Sequence, residues 1–275
     1  MRFSSATRLA GDHHGTLTGV TSDDYWNTIG PFGGWIAAVL MRGVIERSGA
    51  GGEPVSASVT FAAAIAPGAF EIRARELRAN RSTAFWFAEL LQVRDVAELS
   101  CAQATIVLAT RRETPVFRHA VAPEAPPPED LPRGERLPRA PAFLEHYDMR
   151  FVRGGFRESE PPESTFVWVR DLEPEAPLDF PTLAGLCDIG LPQIFYRSGG
   201  PIPISTIVMN AFFHASAADL AALRGEFLGY HTRMRLAANG YFDMTTEIWS
   251  RAGALLATTE QIVWYKFPDP PEPHA

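Results

Sequence analysis

The chain has 275 residues, of which 46% are hydrophobic and 21% are charged, a composition typical of a globular protein with a substantial core. The formal net charge is −7 and no run of five or more like charges occurs, which argues against a nucleic-acid partner. Two cysteines, Cys101 and Cys187, are too few for a disulfide scaffold and fit a reducing compartment.

The first residues lack the apolar region of a signal peptide, and no apolar run reaches the length of a membrane span. We therefore expect a cytoplasmic protein without a membrane span.

The first half of the sequence predicts one apolar helix followed by four strands. The glycine-rich turn Gly30–Gly34 precedes helical spacing over Trp35–Ser48, whose first two turns are apolar on every face. Clean alternation over Pro54–Phe61 predicts a half-buried strand. Further strands are predicted at Phe70–Leu77, Ala84–Val93 and Ser100–Thr110.

The composition changes between Thr114 and Pro141, where eight of the chain's 23 prolines lie. Proline fixes φ and removes a backbone donor, so this segment is excluded from the interior of a sheet. We predict a surface linker over residues 114–141, partly in polyproline II conformation, that joins domains at residues 1–113 and 142–275.

The second half repeats the first at an offset of roughly 150 residues. Strand patterns at Phe151 and Thr165–Val169 precede the apolar stretch Pro181–Arg197, which we predict to form one helix, buried all round. Asn239-Gly240 is the strongest hairpin signal in the chain. Strands are predicted at Ile204–His214, Gly225–Ala237, Phe242–Ser250 and Leu255–Lys266.

A helix followed by an antiparallel meander, occurring twice, predicts an α+β fold. Each sheet must wrap around its own apolar helix to bury it, and the two units are expected to pair their sheets.

Asp188 is the one carboxylate inside the apolar stretch 181–197. A lone ionised Asp in a buried helix costs several kcal/mol unless it is paired, hydrogen-bonded or hydrated. Proteins keep such groups mostly where chemistry needs them, so Asp188 is the first candidate for a catalytic residue. The alternative is a structural Asp that bonds the backbone at a kink near Gly190-Leu191-Pro192.

These features together resemble the acyl-CoA thioesterase II family, whose members have a double hot-dog fold. The likeness is carried by GPFGGWIAAVLMRG in the first half, the Asp-bearing helix, STIVMNAFFH and the closing TEQIVWYK. It covers most of both halves and excludes the proline-rich linker.

The resemblance implies a catalytic trio: an Asp on the second-half helix, a Thr or Ser at the start of the next strand, and a Gln on the last strand. These positions fall on Asp188, Thr206 and Gln261. The family implies that the trio holds and activates a water that attacks the thioester carbonyl, with no metal and no cofactor. Thioester hydrolysis needs such a base and frame, together with donors for the developing oxyanion.

Gly33 and Gly34 are similar to the glycine pair whose backbone N–H groups polarise the carbonyl in hot-dog thioesterases. The residue before them, Phe32, offers no side-chain donor. The equivalent of the catalytic Asp in the first half is roughly Ile36, which implies one active site per chain.

Other residues have competing interpretations. Cys187 could be a nucleophile with His214 or His231 as its base, but adjacent helix residues point to different faces. The pair His13-His14 has no neighbouring cluster at ligand spacing, so we predict a polar loop and no metal site.

Alternating arginines could bind the phosphates of coenzyme A or form a solvated face. Tryptophans could belong to the core or line an acyl tunnel. The arginines are Arg73, Arg75, Arg78, Arg233 and Arg235, and the tryptophans are Trp86, Trp168, Trp249 and Trp264.

We therefore expect an acyl-CoA thioesterase that releases a free acid and coenzyme A. One alternative is a hot-dog protein that binds acyl groups without turnover. Another is a hydratase or dehydratase, but that chemistry usually uses an Asp and a His together, and residues 181–197 contain no His. A homodimer and a homotetramer are both compatible with the sequence.

Overall fold

A computed structural model of the chain describes residues 1–11, 16–49, 51–135, 140–155, 162–173 and 178–267. The pair His13-His14 lies outside the described residues. The helices are α1 (Phe3–Ala6), α2 (Gly33–Ser48), α3 (Phe180–Leu186), α4 (Ile194–Ser198) and α5 (Ala217–Ala222). The first-half strands are β1 (Ala10–Gly11), β2 (Leu17–Val20), β3 (Glu53–Phe61), β4 (Ala69–Ala79), β5 (Thr83–Arg94) and β6 (Ala97–Ala109). The second-half strands are β7 (Tyr147–Arg153), β8 (Ser164–Asp171), β9 (Ile204–Phe213), β10 (Leu228–Arg233), β11 (Ala237–Ala238), β12 (Tyr241–Ser250) and β13 (Leu255–Tyr265).

The strands form one antiparallel sheet that runs through both halves. Its order is β1-β2-β4-β5-β6-β3-β9-β13-β12-β10-β8-β7, and β11 pairs with β12. The halves join where β3 and β9 pair, with Ser58 opposite Asn210. On each side of this seam the chain supplies a strand, a helix and then a run of strands, which confirms the predicted α+β repeat with paired sheets.

The helix α2 lies on the inner face of the sheet, the face that also packs against α3 and the segment between α3 and α4. Trp35, Val39 and Leu40 on α2 have no exposed surface, as expected for a helix that is apolar on every face. Every residue of α3 is buried as well.

The prediction of one helix over Pro181–Arg197 is wrong. The structure has two short helices, because α3 ends at Leu186 and α4 begins at Ile194. Pro192 has no backbone donor and disfavours the helical conformation in the residue before it. Asp188 therefore lies in the irregular segment 187–193, two residues beyond the end of α3.

The remaining predicted strands are found with small shifts at their ends. The strand predicted over Gly225–Ala237 is shorter than expected and covers only Leu228–Arg233. Asn239 and Gly240 have φ values of +54° and +82° and form the two-residue turn between β11 and β12, so the hairpin prediction is confirmed.

Helix α5 was not predicted, although its start carries a capping box in which Ser216 and Asp219 bond each other's backbone N–H.

The described part of the proline-rich segment runs over the outer face of the second half. The Trp168 indole donates to the Pro126 carbonyl at 3.0 Å, and Arg251 pairs with Glu129 at 2.9 Å. The domain boundaries drawn around this segment remain a prediction. Within the described ranges, no helix is long and apolar enough to cross a membrane.

Candidate active site

The helix α2 starts without a side-chain cap of its own. Its N-cap residue is Phe32, whose ring is buried and stacks on Phe143 with centroids 4.1 Å apart. The first N–H groups of a helix have no partner inside it and carry a partial positive charge. The N-terminus of α2, which begins at Gly33, can therefore bind an anion.

Asp188 from the second half occupies this position. A backbone hydrogen bond from Gly34 reaches its carboxyl group. A Cβ atom added to Gly33 would lie 2.5 Å from Asp188 Oδ2, closer than any side chain tolerates. Asp188 thus caps the helix of the other half, and position 33 must be glycine for the carboxyl to sit there.

Gly34 is required by packing of backbone against backbone. A Cβ atom added there would lie 2.1 Å from the carbonyl oxygen of Gly185 in α3. The two helices therefore touch near this pair of glycines, which holds Asp188 at the start of α2. The sequence analysis did not select Gly185. The offset of 152 residues between the two halves makes it the counterpart of Gly33 in the repeat.

Gln261 and Thr206 lie on the other side of the carboxyl group. The Gln261 amide donates to Asp188 Oδ1 at 3.0 Å, and the Thr206 hydroxyl donates to Gln261 Oε1 at 3.4 Å. Gln261 is only 3% exposed, so its amide is held in a single hydrogen-bonded arrangement. The structure brings together all three residues of the predicted trio.

A β-bulge in β9 makes this arrangement possible. Gln261 is opposite Met209 and Val263 is opposite Thr206, which leaves Ile207 as an extra residue in β9. The extra residue resets the alternation of side chains. Thr206 therefore faces the same side of the sheet as Gln261, a placement that strict alternation from Met209 would not give.

The environment of Asp188 favours its protonated form. Burial raises the pKa of Asp188 to about 7, although the hydrogen bonds from Gln261 and Gly34 oppose the shift. Since its pKa lies close to neutral pH, the carboxyl can accept and return a proton, as a general base requires.

The equivalent place in the first half is apolar. The extra residue of β3 is Val55, and the offset of 152 residues that takes it to Ile207 also takes Ile36 to Asp188. By the same pairing, Pro54 and Ile106 stand where the second half has Thr206 and Gln261. The first half therefore has no polar group at any of the three positions.

The structure argues against Cys187 as a nucleophile. Its thiol is buried, and this burial raises the pKa of the thiol. The nearby Asp188 charge raises it further. His214 hydrogen-bonds Thr258 and His231 hydrogen-bonds Glu247, so both candidate bases have partners elsewhere. No group of His, Cys, Asp or Glu residues suited to a metal occurs in the part of the chain that the structure describes.

Among the predicted arginines, Arg235 pairs with Asp243 and lines a cavity together with Gln261. Arg73 pairs with Glu71 and Glu98 on the outer face, whereas Arg233 donates to His231. Three tryptophans are buried and Trp264 is 36% exposed; the buried ones are Trp86, Trp168 and Trp249.

Comparison with known sequences identifies the family. The sequence model of the acyl-CoA thioesterase N-terminal domain matches residues 22–109, and that of the C-terminal domain matches residues 122–265. The chain belongs to the acyl-CoA thioesterase family. Comparison with curated protein sequences gave no match.

Solved structures agree with this acyl-CoA thioesterase fold. A conserved hot-dog protein of unknown function from Alicyclobacillus acidocaldarius is 34% identical, with a TM-score of 0.90 over 97% of this chain and 98% of that chain. A putative thioesterase II from Thermobifida fusca is 19% identical, with a TM-score of 0.82 over 96% and 97%. The acyl-CoA thioesterase II TesB2 from Mycobacterium marinum is 18% identical, with a TM-score of 0.76 over 98% and 99%. The double hot-dog fold of this family member is thereby established.

Proposed function

We propose that this protein hydrolyses acyl-CoA thioesters to a free acid and coenzyme A. The observation that carries the proposal is the contact between Asp188 and Gln261 at the start of α2, with Thr206 behind the amide. It joins a base of near-neutral pKa, a neutral hydrogen-bonding frame and a helix N-terminus in one place. Those are the three parts that attack of water on a thioester requires.

In the proposed reaction a water held at the trio attacks the thioester carbonyl carbon. Asp188 takes one proton from the water as the new C–O bond forms. The N–H group of Gly33 and the positive end of α2 stabilise the oxyanion. The N–H of Gly34, the second donor that the resemblance implied, is already bonded to the Asp188 carboxyl. When the intermediate collapses, the C–S bond breaks and the coenzyme A sulfur leaves with the electron pair. Asp188 returns its proton to that sulfur, so the products are the acid and the free thiol.

The active site is proposed to occur once per chain, because the first half has Ile36, Pro54 and Ile106 at the equivalent positions. The hydrophobic cluster beside Gln261, which includes Met244, Val263 and Ile194, supports an apolar acyl group as the substrate.

The first prediction concerns the pH dependence of hydrolysis. We expect kcat/KM to rise about tenfold per pH unit below pH 7 and to level off above it, because Asp188 must be ionised to act as the base. Thiol release from acyl-CoA substrates from acetyl to palmitoyl, measured between pH 5 and 9, checks this. If none of these substrates is hydrolysed but they bind, the protein is an acyl-binding protein and the proposal is wrong.

The second prediction concerns Thr206. Its hydroxyl fixes which way the Gln261 amide points, so Thr206→Val should lower kcat about fivefold, in line with the loss of one hydrogen bond of about 1 kcal/mol. Thr206→Ser keeps the hydroxyl and should retain most of the activity. Equal rates for the two variants would contradict this role.

A further inference from the structure

Four threonines stand directly opposite one another across four neighbouring strands of the second half. Thr165 is opposite Thr232, Thr232 is opposite Thr246, and Thr246 is opposite Thr259. Residues opposite each other in an antiparallel sheet share one face. Each of the four is at most 2% exposed. We call this set the threonine row, and it crosses the inner face beneath the irregular segment 187–193.

The first half has alanines at the positions that correspond to three of these four threonines. The residue of β6 that corresponds to Thr259 is Ala104, which is opposite Ala88, and Ala88 is opposite Ala74. There the continuous helix α2 covers the row. Hydroxyl groups therefore replace methyl groups only in the half whose helix is broken and carries Asp188.

The threonine row contacts the 187–193 segment at two points. The Gln193 amide donates to Thr165 Oγ1 at 3.0 Å and to the Thr232 carbonyl at 3.4 Å. A Cβ atom added to Gly190 would lie 3.2 Å from Thr232 Oγ1 and 3.3 Å from Thr246 Oγ1. The backbone at Gly190 therefore rests on two hydroxyls, which also bond each other at 3.0 Å.

The segment is anchored differently at its two ends. Near α3, the Asp188 carboxyl is bonded by Gln261 and Gly34, and the backbone N–H groups of Asp188 and Ile189 make weak bonds to α3, both 3.3 Å long. At the other end, the Gln193 amide bonds the segment to the sheet. Gln193 is itself only 3% exposed. Burying this amide is costly unless it is bonded, so its bonds strongly favour one position of the segment.

We propose that Gln193 is a positioning residue that acts through the threonine row to fix the segment carrying Asp188 at the start of α2. The inference rests on the proposed function for its catalytic consequence. A row of alanines, as in the first half, would suit a continuous helix. In the second half, the Thr165 hydroxyl and the Thr232 carbonyl instead accept hydrogen bonds from the Gln193 side chain and so hold the irregular segment. The Thr259 hydroxyl is buried without a described hydrogen-bond partner and is not part of this contact.

The test compares Gln193→Met with Gln92→Met. Gln92 is a matched control, because it is 5% exposed and bonds the backbone of Ala66 at 2.9 Å in the half without the site. Both variants should lose stability to a similar degree. Only Gln193→Met should lower kcat, by roughly 10- to 100-fold because the base is misplaced, with KM changed little.

A second readout separates positioning from a general loss of stability. A loosened segment admits water to the Asp188 carboxyl, so in Gln193→Met the midpoint of the pH–rate profile should move below 7. Among the described residues, the titratable group that interacts with Asp188 is the Cys187 thiol, which is neutral. A shift of the midpoint would therefore report the hydration of the Asp188 carboxyl and not a change in a neighbouring charge. An unmoved midpoint with kcat equal to that of Gln92→Met would overturn the proposal.

Two further measurements keep the test decisive. If Gln193→Met does not fold, Thr165→Val removes the acceptor at nearly constant volume and should show the same changes. If the wild type hydrolyses nothing, the proposed function fails, but the position of Asp188 can still be followed. Asp188→Asn should then change the pH dependence of unfolding in the wild-type background and much less in the Gln193→Met background. Equal changes in both backgrounds would refute the positioning role.

Discussion

Asp188→Asn is expected to lower kcat by roughly 10²- to 10⁴-fold, the usual contribution of a general base. Asparagine keeps the shape of the side chain and is itself a good helix cap, so its oxygen can keep the bond from the start of α2. Its NH2 group cannot accept a bond from Gln261, so the Gln261 amide must turn to present its oxygen instead. Acyl-CoA binding should therefore change little. Thiol release and equilibrium binding of the same acyl-CoA, measured on one preparation, check both parts.

The same substitution should stabilise the protein at neutral and alkaline pH. Because the pKa of Asp188 is raised to about 7 in the folded state, the native protein holds a proton that the unfolded chain loses near pH 4. Stability attributable to Asp188 therefore falls as the pH rises from about 4 to about 7 and stays low above that. Removing the charge recovers at most about 4 kcal/mol at pH 8 and nothing near pH 3.

Asp171→Asn is the matched control for this effect. Burial also raises the pKa of Asp171, which lies in β8 and accepts a hydrogen bond from the Glu173 backbone. That variant should change the pH dependence of unfolding without loss of hydrolysis. Asp188→Ala removes the helix cap as well as the base and should be less stable than Asp188→Asn. Retained hydrolysis in Asp188→Asn would remove Asp188 from the mechanism.

Gly33→Ala is expected to lower kcat/KM by at least about 100-fold while the protein still folds. Its Cβ atom would lie 2.5 Å from Asp188 Oδ2 and 3.4 Å from the Phe61 ring. The carboxyl must then move, which breaks its contact with Gln261. Alanine in the first turn of a helix carries no conformational penalty, so the loss of stability should be limited to that of the displaced Asp188 cap, about 1 kcal/mol. Steady-state kinetics and thermal unfolding of the same sample test this separation.

Alanine substitutions at two other glycines serve as controls for Gly33→Ala. Gly11→Ala should behave like the wild type, because its Cβ atom would meet nothing closer than Leu17 Cδ2 at 3.6 Å. Gly34→Ala would place its Cβ atom 2.1 Å from the Gly185 carbonyl oxygen. Backbone cannot rotate away as a carboxyl can, so this variant should lose stability as well as activity. Wild-type kcat/KM in Gly33→Ala would show that close approach of the carboxyl to α2 is not needed.

Much of the architecture could be predicted because its signals are local and periodic. The apolar helix over Trp35–Ser48, the alternation of Pro54–Phe61 and the Asn239-Gly240 turn each follow from a few neighbouring residues. The prediction of one continuous helix over Pro181–Arg197 was wrong, and the reason is physical. Apolar composition indicated burial correctly, but it does not distinguish a helix from an irregular segment that is held by polar side chains of distant strands.

The candidate site divides in the same way. Asp188 stood out from its sequence alone, since a lone carboxylate in an apolar stretch needs an explanation. Thr206 and Gln261 are ordinary strand residues in the sequence, and only the family resemblance selected them. The extra residue Ile207, which turns Thr206 toward Gln261, changes no sequence pattern and becomes visible only in the pairing of β9 with β13.

By itself, then, the sequence determined the internal repeat, the apolar helix of the first half, most strands and the acid at the centre of the candidate site. Only the tertiary structure decided that this acid lies outside its helix, caps the helix of the other half and meets an amide from the last strand. The reason is physical: periodicity and composition report which side chains are buried, whereas contacts between residues far apart in the chain depend on register, bulges and close backbone approach. Those features come from the pairing of whole strands and helices, which no short segment encodes.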